Sequence, residues 1–276
     1  MWTEVAIVGS GFGGLGTAIR LGQEGFTDFL VLERAADVGG TWRDNRYPGC
    51  ACDVASHFYS LSFAPNPDWT DRYSRQPEIW AYLKGLVRDH GLAPRLRFHH
   101  EVRSALWDET ARRWQVETSQ GTVQASVFVL ASGPLSEPVI PDLPGLDRFE
   151  GRTFQSSRWD HSFDLAGRRV AVIGTGASAA QFIPEIQPRL ARLVLFQRTP
   201  PWVLPRLDAA IPPWQRRLYR RLPQLQRLMR LWIHWQREVS FLPFRHPWMM
   251  RRLQLLARLN LRRAVADPTL RARLTP

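Results

Sequence analysis

The sequence predicts an α/β fold, and three observations carry that expectation. The apolar run Val5-Ala6-Ile7-Val8 leads into Gly9-Ser10-Gly11-Phe12-Gly13-Gly14, and the run Val170-Ala171-Val172-Ile173 leads into Gly174-Thr175-Gly176-Ala177-Ser178-Ala179. Residues 206–276 instead repeat apolar side chains at steps of three and four. A short apolar run reads as a strand covered on both faces, and glycines placed after it turn the chain into a helix. Together these features give two Rossmann-like dinucleotide-binding domains, three-layered and with a β-meander in the first, followed by a helical C-terminal segment.

The boundaries expected are 1–140 for the first domain, 141–205 for the start of the second and 206–276 for an Arg-rich helical insertion. A length of 276 residues leaves room for two cores. The net charge of +12 is confined to the tail: residues 1–205 hold 21 Lys+Arg against 22 Asp+Glu, and residues 206–276 hold 16 Arg against 3 acids. Lys84 is the single lysine beside all those arginines, a bias of codon usage rather than of guanidinium chemistry. No recognition motif accompanies the charge, so nucleic acid is not expected as a partner. Two cysteines, Cys50 and Cys52, exclude a disulfide framework and lack the remaining ligands of a metal site. Without a positive n-region or a long uncharged apolar stretch, neither signal peptide nor membrane span is expected, and a cytoplasmic setting fits.

In the first cradle each glycine has a task. Gly9 permits the tight turn, Gly11 leaves room for a pyrophosphate against bare backbone, and Gly14 lets a helix running to about Gly25 pack close to the strand. Helix-start N–H groups then face the phosphates. The run Phe29-Leu30-Val31-Leu32 ends in Glu33, at the offset of a carboxylate that accepts from ribose hydroxyls. Residues 39–53 read as a loop rich in glycine and bulky aromatics, which suits the lining of a site. A helix is expected over 77–90, then short strand pieces at 96–98 and 101–103. Alternation at 104–107, 114–118 and 122–125 predicts the meander, and the run 127–131 returns to the parallel sheet.

Four prolines in 134–146 mark the domain boundary. In the second cradle Ala179 takes the place of the third glycine, and the strand 193–197 ends in Arg198 rather than an acid. A guanidinium there binds a 2'-phosphate bidentately, which favours NADPH over NADH. In the tail, Leu218, Leu222, Leu225, Leu228, Trp232, Trp235 and Val239 form one stripe, restarted at Pro223, and Leu253, Leu256 and Leu259 form another. The stripes are expected to pack on the rest of the molecule; the alternative is a basic amphipathic surface in peripheral contact with anionic lipid.

The loop in order carries Gly40, Trp42, Tyr47, Pro48, Gly49 and Asp53, and resembles that of type I Baeyer-Villiger monooxygenases. Tyr59-Ser60, Pro65-Asn66-Pro67-Asp68-Trp69 and Gln76-Pro77-Glu78-Ile79 continue the likeness, which covers most of residues 5–205. Phe149-Glu150-Gly151 through Trp159-Asp160 resembles the family fingerprint but has Gln155 where that fingerprint has histidine. Glutamine cannot gain a proton near neutral pH, which puts coupling of reduction to oxygenation in question.

The resemblance implies two cofactors, FAD and NADPH, and a reaction in which one atom of O2 enters a ketone to give an ester or lactone. It implies FAD contacts at Gly9, Gly11, Phe12, Gly14, Glu33, Thr41, Trp42, Asp53, Tyr59 and Val102, with Asp53 also the catalytic acid that orients an arginine. NADPH contacts are implied at Gly174, Thr175, Gly176, Ser178, Ala179, Arg198 and Thr199. No arginine here matches the family's catalytic one, so the chain is expected to correspond to the N-terminal part of such an enzyme, the remainder supplied by another chain or lost. The rival expectations are a monooxygenase acting on nitrogen or sulfur and a non-catalytic nucleotide-binding or membrane-associated protein.

Overall fold

The computed structural model describes residues 1–276, which form two compact units. Met1–Arg46 with Gln76–Asp160 make the first, and Tyr47–Arg75 with His161–Pro276 the second. The linear boundaries at 140 and 205 are therefore crossed by the contacts, because the stretch 47–75 folds with residues far downstream of it.

The first unit is a six-stranded sheet in the order β3-β2-β1-β6-β5-β4. Strands β1 (Trp2–Val8), β2 (Phe29–Leu32) and β3 (Leu96–Arg97) are parallel, as apolar runs joined by helical crossovers require. Strands β4 (Val102–Asp108), β5 (Arg113–Thr118) and β6 (Gly121–Leu130) make the antiparallel meander. The alternation at 122–125 and the apolar run at 127–131 are one strand, not two. With neither glycine nor proline between 122 and 131 to break it, β6 pairs with β5 through its first half and runs parallel to β1 from Gln124 to Leu130. Meander and parallel sheet are thus a single surface, with Leu30, Leu32, Val116 and Val123 buried together across it.

Helices α1 (Phe12–Gln23), α2 (Thr41–Asp44) and α3 (Gln76–Asp89) complete this unit. Leu15, Ala18 and Ile19 of α1 and Ile79, Leu83 and Leu86 of α3 are buried, the i, i+3, i+4, i+7 pattern of a face turned to the core.

In the second unit β7 (Arg169–Ile173) and β8 (Arg192–Phe196) form a parallel pair across α4 (Ala177–Ile186). The tail is helical, in α5 (Pro213–Arg221), α6 (Pro223–Ser240), α7 (Leu242–Arg245), α8 (Pro247–Ala264) and α9 (Pro268–Arg273). Pro223 restarts the helix at its first position, where a missing N–H costs nothing.

The stripe on α6 does not pack as its periodicity suggests. Leu228 and Trp232 are each 61% exposed and Trp235 58%, while Gln226 is 3% exposed. Leu256 and Leu259 of α8 are exposed too. Loop carbonyls and a buried imidazole under α6 require donors, and that need turns the polar face inward. No helix is long and apolar enough to cross a membrane.

Candidate functional site

The first cradle is built from backbone at the closest approach the chain allows. Gly9 has φ 95°, and a Cβ there would lie 2.6 Å from the Ala131 carbonyl oxygen. A Cβ on Gly14 would lie 1.8 Å from the Gly9 carbonyl oxygen, so the start of α1 rests directly on the turn that leaves β1. Gly11 differs from both. A Cβ there would meet nothing nearer than Gly40 Cα at 4.0 Å, so the bare backbone leaves a cradle that a side chain would fill. Gly11 is the N-cap and no side chain caps α1. Phe12, the first residue of that helix, sets its ring 6.0 Å from that of Tyr82 on α3.

Glu33 is buried at the end of β2. Its Oε2 accepts from the Ser10 N–H at 3.0 Å and the Ser10 hydroxyl at 2.6 Å, and its Oε1 accepts from the Ala35 N–H at 3.0 Å. Arg43 Nη1 lies 2.9 Å from the same Oε1. Burial pushes the carboxyl up, but the Ser10 and Ala35 hydrogen bonds and the Arg43 charge outweigh it and hold Glu33 below the ordinary carboxylate range. A carboxylate offers about four acceptor positions, and four protein donors occupy them. A ribose hydroxyl reaching Glu33 therefore shares an oxygen with Ser10 or Arg43.

The stretch expected as loop from Gly39 contains α2, so Thr41 and Trp42 stand on a helical turn capped by Gly40. Gly39 (φ 124°) presses against the Trp80 ring and donates its N–H to the Ser10 carbonyl at 3.0 Å, which brings this turn onto the first glycine turn. Trp42 is buried, and its carbonyl accepts from Gln76 Nε2. Val102 opens β4 and packs against the cluster of Leu30, Leu32, Val116 and Val123.

In the second unit, Gly174 has φ 103°, and a Cβ on either Gly174 or Gly176 would meet nothing within 4 Å. Gly176 caps α4 without a side chain, Thr175 between them is half-buried, and Ala179 is buried. Arg198 and Thr199 are exposed just beyond β8. Ser178 is already engaged, by a hydrogen bond with the Tyr47 hydroxyl. Burial, foremost, pushes that phenol up to about 12, so Tyr47 remains a neutral partner. The ring of Tyr47 meets Phe182 edge-on at 6.1 Å. A Cβ on Gly49 would lie 2.8 Å from the Gln181 carbonyl oxygen, and Gln181 Oε1 accepts from the Ala51 N–H at 2.7 Å. The loop 47–51 is thus seated on α4.

Asp53 is exposed, and its backbone carbonyl accepts from Arg237 Nη2 at 3.2 Å. Tyr59 is half-buried, its N–H bonded to the Ala55 carbonyl at 2.9 Å. Cys50 and Cys52 are free thiols, and burial pushes both up, Cys52 to about 11, so neither is a thiolate nucleophile. Gln155, at the fingerprint's histidine position, caps its own turn by accepting from the Ser157 N–H at 2.7 Å. Arg152 and Asp160 close that segment with an ion pair at 2.6 Å.

Sequence reasoning missed Ser10 and Arg43, the donors that saturate Glu33, and Gln181, Gln226, Arg230 and Arg237, which hold the loop 47–60. Ser10 lies in the glycine turn only 23 residues before its partner Glu33, and Arg43 stands beside Asp44 in sequence; the others had no signal, since their partners are backbone atoms or lie more than a hundred residues away in sequence.

Two glycine turns, each leading from a parallel strand into a helix, define the dinucleotide-binding α/β class. The chain belongs to the flavin-binding monooxygenase-like family, whose model matches residues 3–238. It is 56% identical over 274 residues to a Baeyer-Villiger monooxygenase of Streptomyces coelicolor and 50% identical over 275 residues to one of Pseudomonas aeruginosa. Each match covers 99% of this chain, but 53% and 52% of the relative, so the chain spans about half the length of these curated relatives. The solved structure of OTEMO in complex with FAD and NADP is similar with a TM-score of 0.87 at 27% identity, over 99% of this chain and 60% of that one.

Two outcomes are expected from this geometry. Gly14→Ala forces a methyl into the Gly9 carbonyl and is expected to destabilise the first unit by about 3 kcal/mol or more, whereas Gly176→Ala enters open space and shifts stability by less than about 1 kcal/mol. Urea unfolding of the two variants side by side reads the contrast. The second concerns His57, whose imidazole burial holds down at about 4, below its ordinary 6.5. The unfolded chain takes up that proton first, so stability is whole above about pH 6.5 and falls as pH drops toward 4, by about 3 kcal/mol at the lower end. Unfolding measured across that window is expected to show a shallower slope in His57→Gln.

Proposed function

We propose that this chain carries the FAD- and NADPH-binding functions of a Baeyer-Villiger monooxygenase, one that inserts an atom of O2 into a ketone to give an ester or lactone. The observation that carries this reading is the pair of side-chain-free glycine turns, the first followed by the acid Glu33 and the second by the cation Arg198, in a chain of this family. The first cradle fits a pyrophosphate: Gly9 and Gly14 bring strand and helix together, Gly11 leaves the cradle open, and the positive end of α1 attracts anions. Glu33 orients the ribose of FAD through an oxygen shared with Ser10 or Arg43. Phe12, Thr41, Trp42, Tyr59 and Val102 are the further FAD contacts.

At the second cradle, Gly174, Thr175, Gly176 and Ala179 receive the NADPH pyrophosphate, with Ser178 held in place by Tyr47. Arg198 and Thr199 bind the 2'-phosphate, a task for which an exposed guanidinium outside any salt bridge is suited. Bound FAD, reduced by NADPH, supplies the chemistry that activates O2 toward the ketone carbonyl. Asp53 orients the catalytic arginine, which corresponds to no position among these residues and comes from polypeptide additional to them. Gln155, unable to carry a proton at neutral pH, leaves any proton step of the fingerprint histidine to another group.

A second reading concerns residues 206–276. Exposed Trp214, Trp232, Trp235 and Trp248 beside 16 arginines favour peripheral contact with anionic lipid. Sedimentation with phosphatidylserine vesicles, lost in high salt, is the expected result; no binding to either anionic or neutral vesicles disposes of it.

The purified chain is expected to take up FAD, seen as a visible flavin band and quenched flavin fluorescence, and to bind NADPH more tightly than NADH. Arg198→Ala is expected to weaken NADPH binding about tenfold or more while leaving NADH nearly unchanged. A colourless protein that gains no flavin on reconstitution overturns the reading.

A further inference from the structure

Helix α6 buries its polar side. At about 100° per residue, Gln226, Arg230 and Arg237 fall within about 40° of one another on the helix circumference, with Leu228, Trp232, Trp235 and Val239 on the far side. The inward three converge on one segment. Arg230 Nη1 donates to the carbonyls of His57 at 3.2 Å, Phe58 at 2.9 Å and Ser60 at 3.0 Å, and lies 3.4 Å from the Ser60 hydroxyl. The guanidinium carbon sits 5.0 Å from the centre of the Phe58 ring. Gln226 Nε2 donates to the Asn66 carbonyl at 2.6 Å and to His57 Nδ1 at 3.2 Å, and Arg237 reaches the Asp53 carbonyl at 3.2 Å.

Three carbonyl dipoles aimed at one point repel each other unless a cation stands there, and none of these groups belongs to a helix or strand that satisfies it otherwise. The His57 ring is fixed as well. Gln226 Nε2 is a donor to Asn66, so it is a donor to Nδ1, and His57 must carry its hydrogen on Nε2, an atom with no partner. Tyr219 of α5 closes on this ring edge-on at 5.0 Å.

We propose that Gln226 and Arg230 are positioning residues: by neutralising and tying the carbonyls of 57–60 they set the backbone of the segment 53–60 in which Asp53 and Tyr59 lie. The bearing on catalysis rests on the flavin reading above. Neither residue touches cofactor or substrate; both act through the loop. Leu228 and Trp232, on the opposite side of the same helix, take no part.

The test compares wild type with Arg230→Met, Arg230→Lys and Gln226→Leu by amide hydrogen exchange and by flavin titration. Arg230→Met is expected to speed exchange of amides 57–61 about tenfold or more, leave those of β1 and α1 unchanged, and weaken flavin binding about tenfold. Arg230→Lys keeps a cation against the carbonyls and is expected to restore most of both, and Gln226→Leu to show the same pattern more weakly. Unchanged exchange in 57–61, an equal rise across both units, or loosened amides with undiminished flavin affinity each overturn the positioning role. A wild-type chain that takes up no flavin overturns the functional reading beneath it, a result distinct from any difference between the variants.

Discussion

A carboxylate shut away from water must be met by donors on every side, and Glu33 imposes that requirement on the first unit. It gathers the Ser10 N–H and hydroxyl from the first glycine turn, the Ala35 N–H from beyond β2 and the Arg43 guanidinium from α2. Arg43 in turn bonds the Asp37 carbonyl and Asp44, so the first glycine turn and the short helix are drawn to one anion. Gly9, Gly14 and Gly39 allow the close packing beside it, since a Cβ on each would run into Ala131, Gly9 or Trp80. Glu33 thereby serves the shape of the cradle.

The second unit solves a similar problem with different groups. Its long loop has little regular structure, and each backbone group must find a partner singly. Gln181 on α4 takes the Ala51 N–H, Arg206 the Cys52 carbonyl, and α6 supplies Gln226, Arg230 and Arg237. Polar demand inside thus fixes the rotation of α6 and leaves its leucines and tryptophans outward, an arrangement that hydrophobic burial alone would reverse.

Membership of the flavin-binding monooxygenase-like family and the two cradles bear on each other physically. A family match gives no geometry, and a glycine turn alone gives no chemistry. Glu33 follows one turn and Arg198 the other, so the two cradles differ in the sign of the charged group beside them.

The sequence by itself determined the α/β class, both glycine turns, a helix read at 77–90 and found at 76–89, the meander and the restart at Pro223. These are local matters of strand period, turn chemistry and glycine sterics, legible within a window of about twenty residues. The family resemblance was legible too, in the Trp42 to Asp53 segment and in Trp159-Asp160. Only the tertiary structure decided that 122–130 is one strand, that Glu33 is saturated by Ser10, Ala35 and Arg43, that Ser178 is taken by Tyr47, and that α6 turns Gln226 and Arg230 inward. Each of those outcomes depends on a partner distant in sequence or on a backbone carbonyl. Carbonyls look alike in every residue, so their need for a donor leaves no mark on the amino-acid pattern.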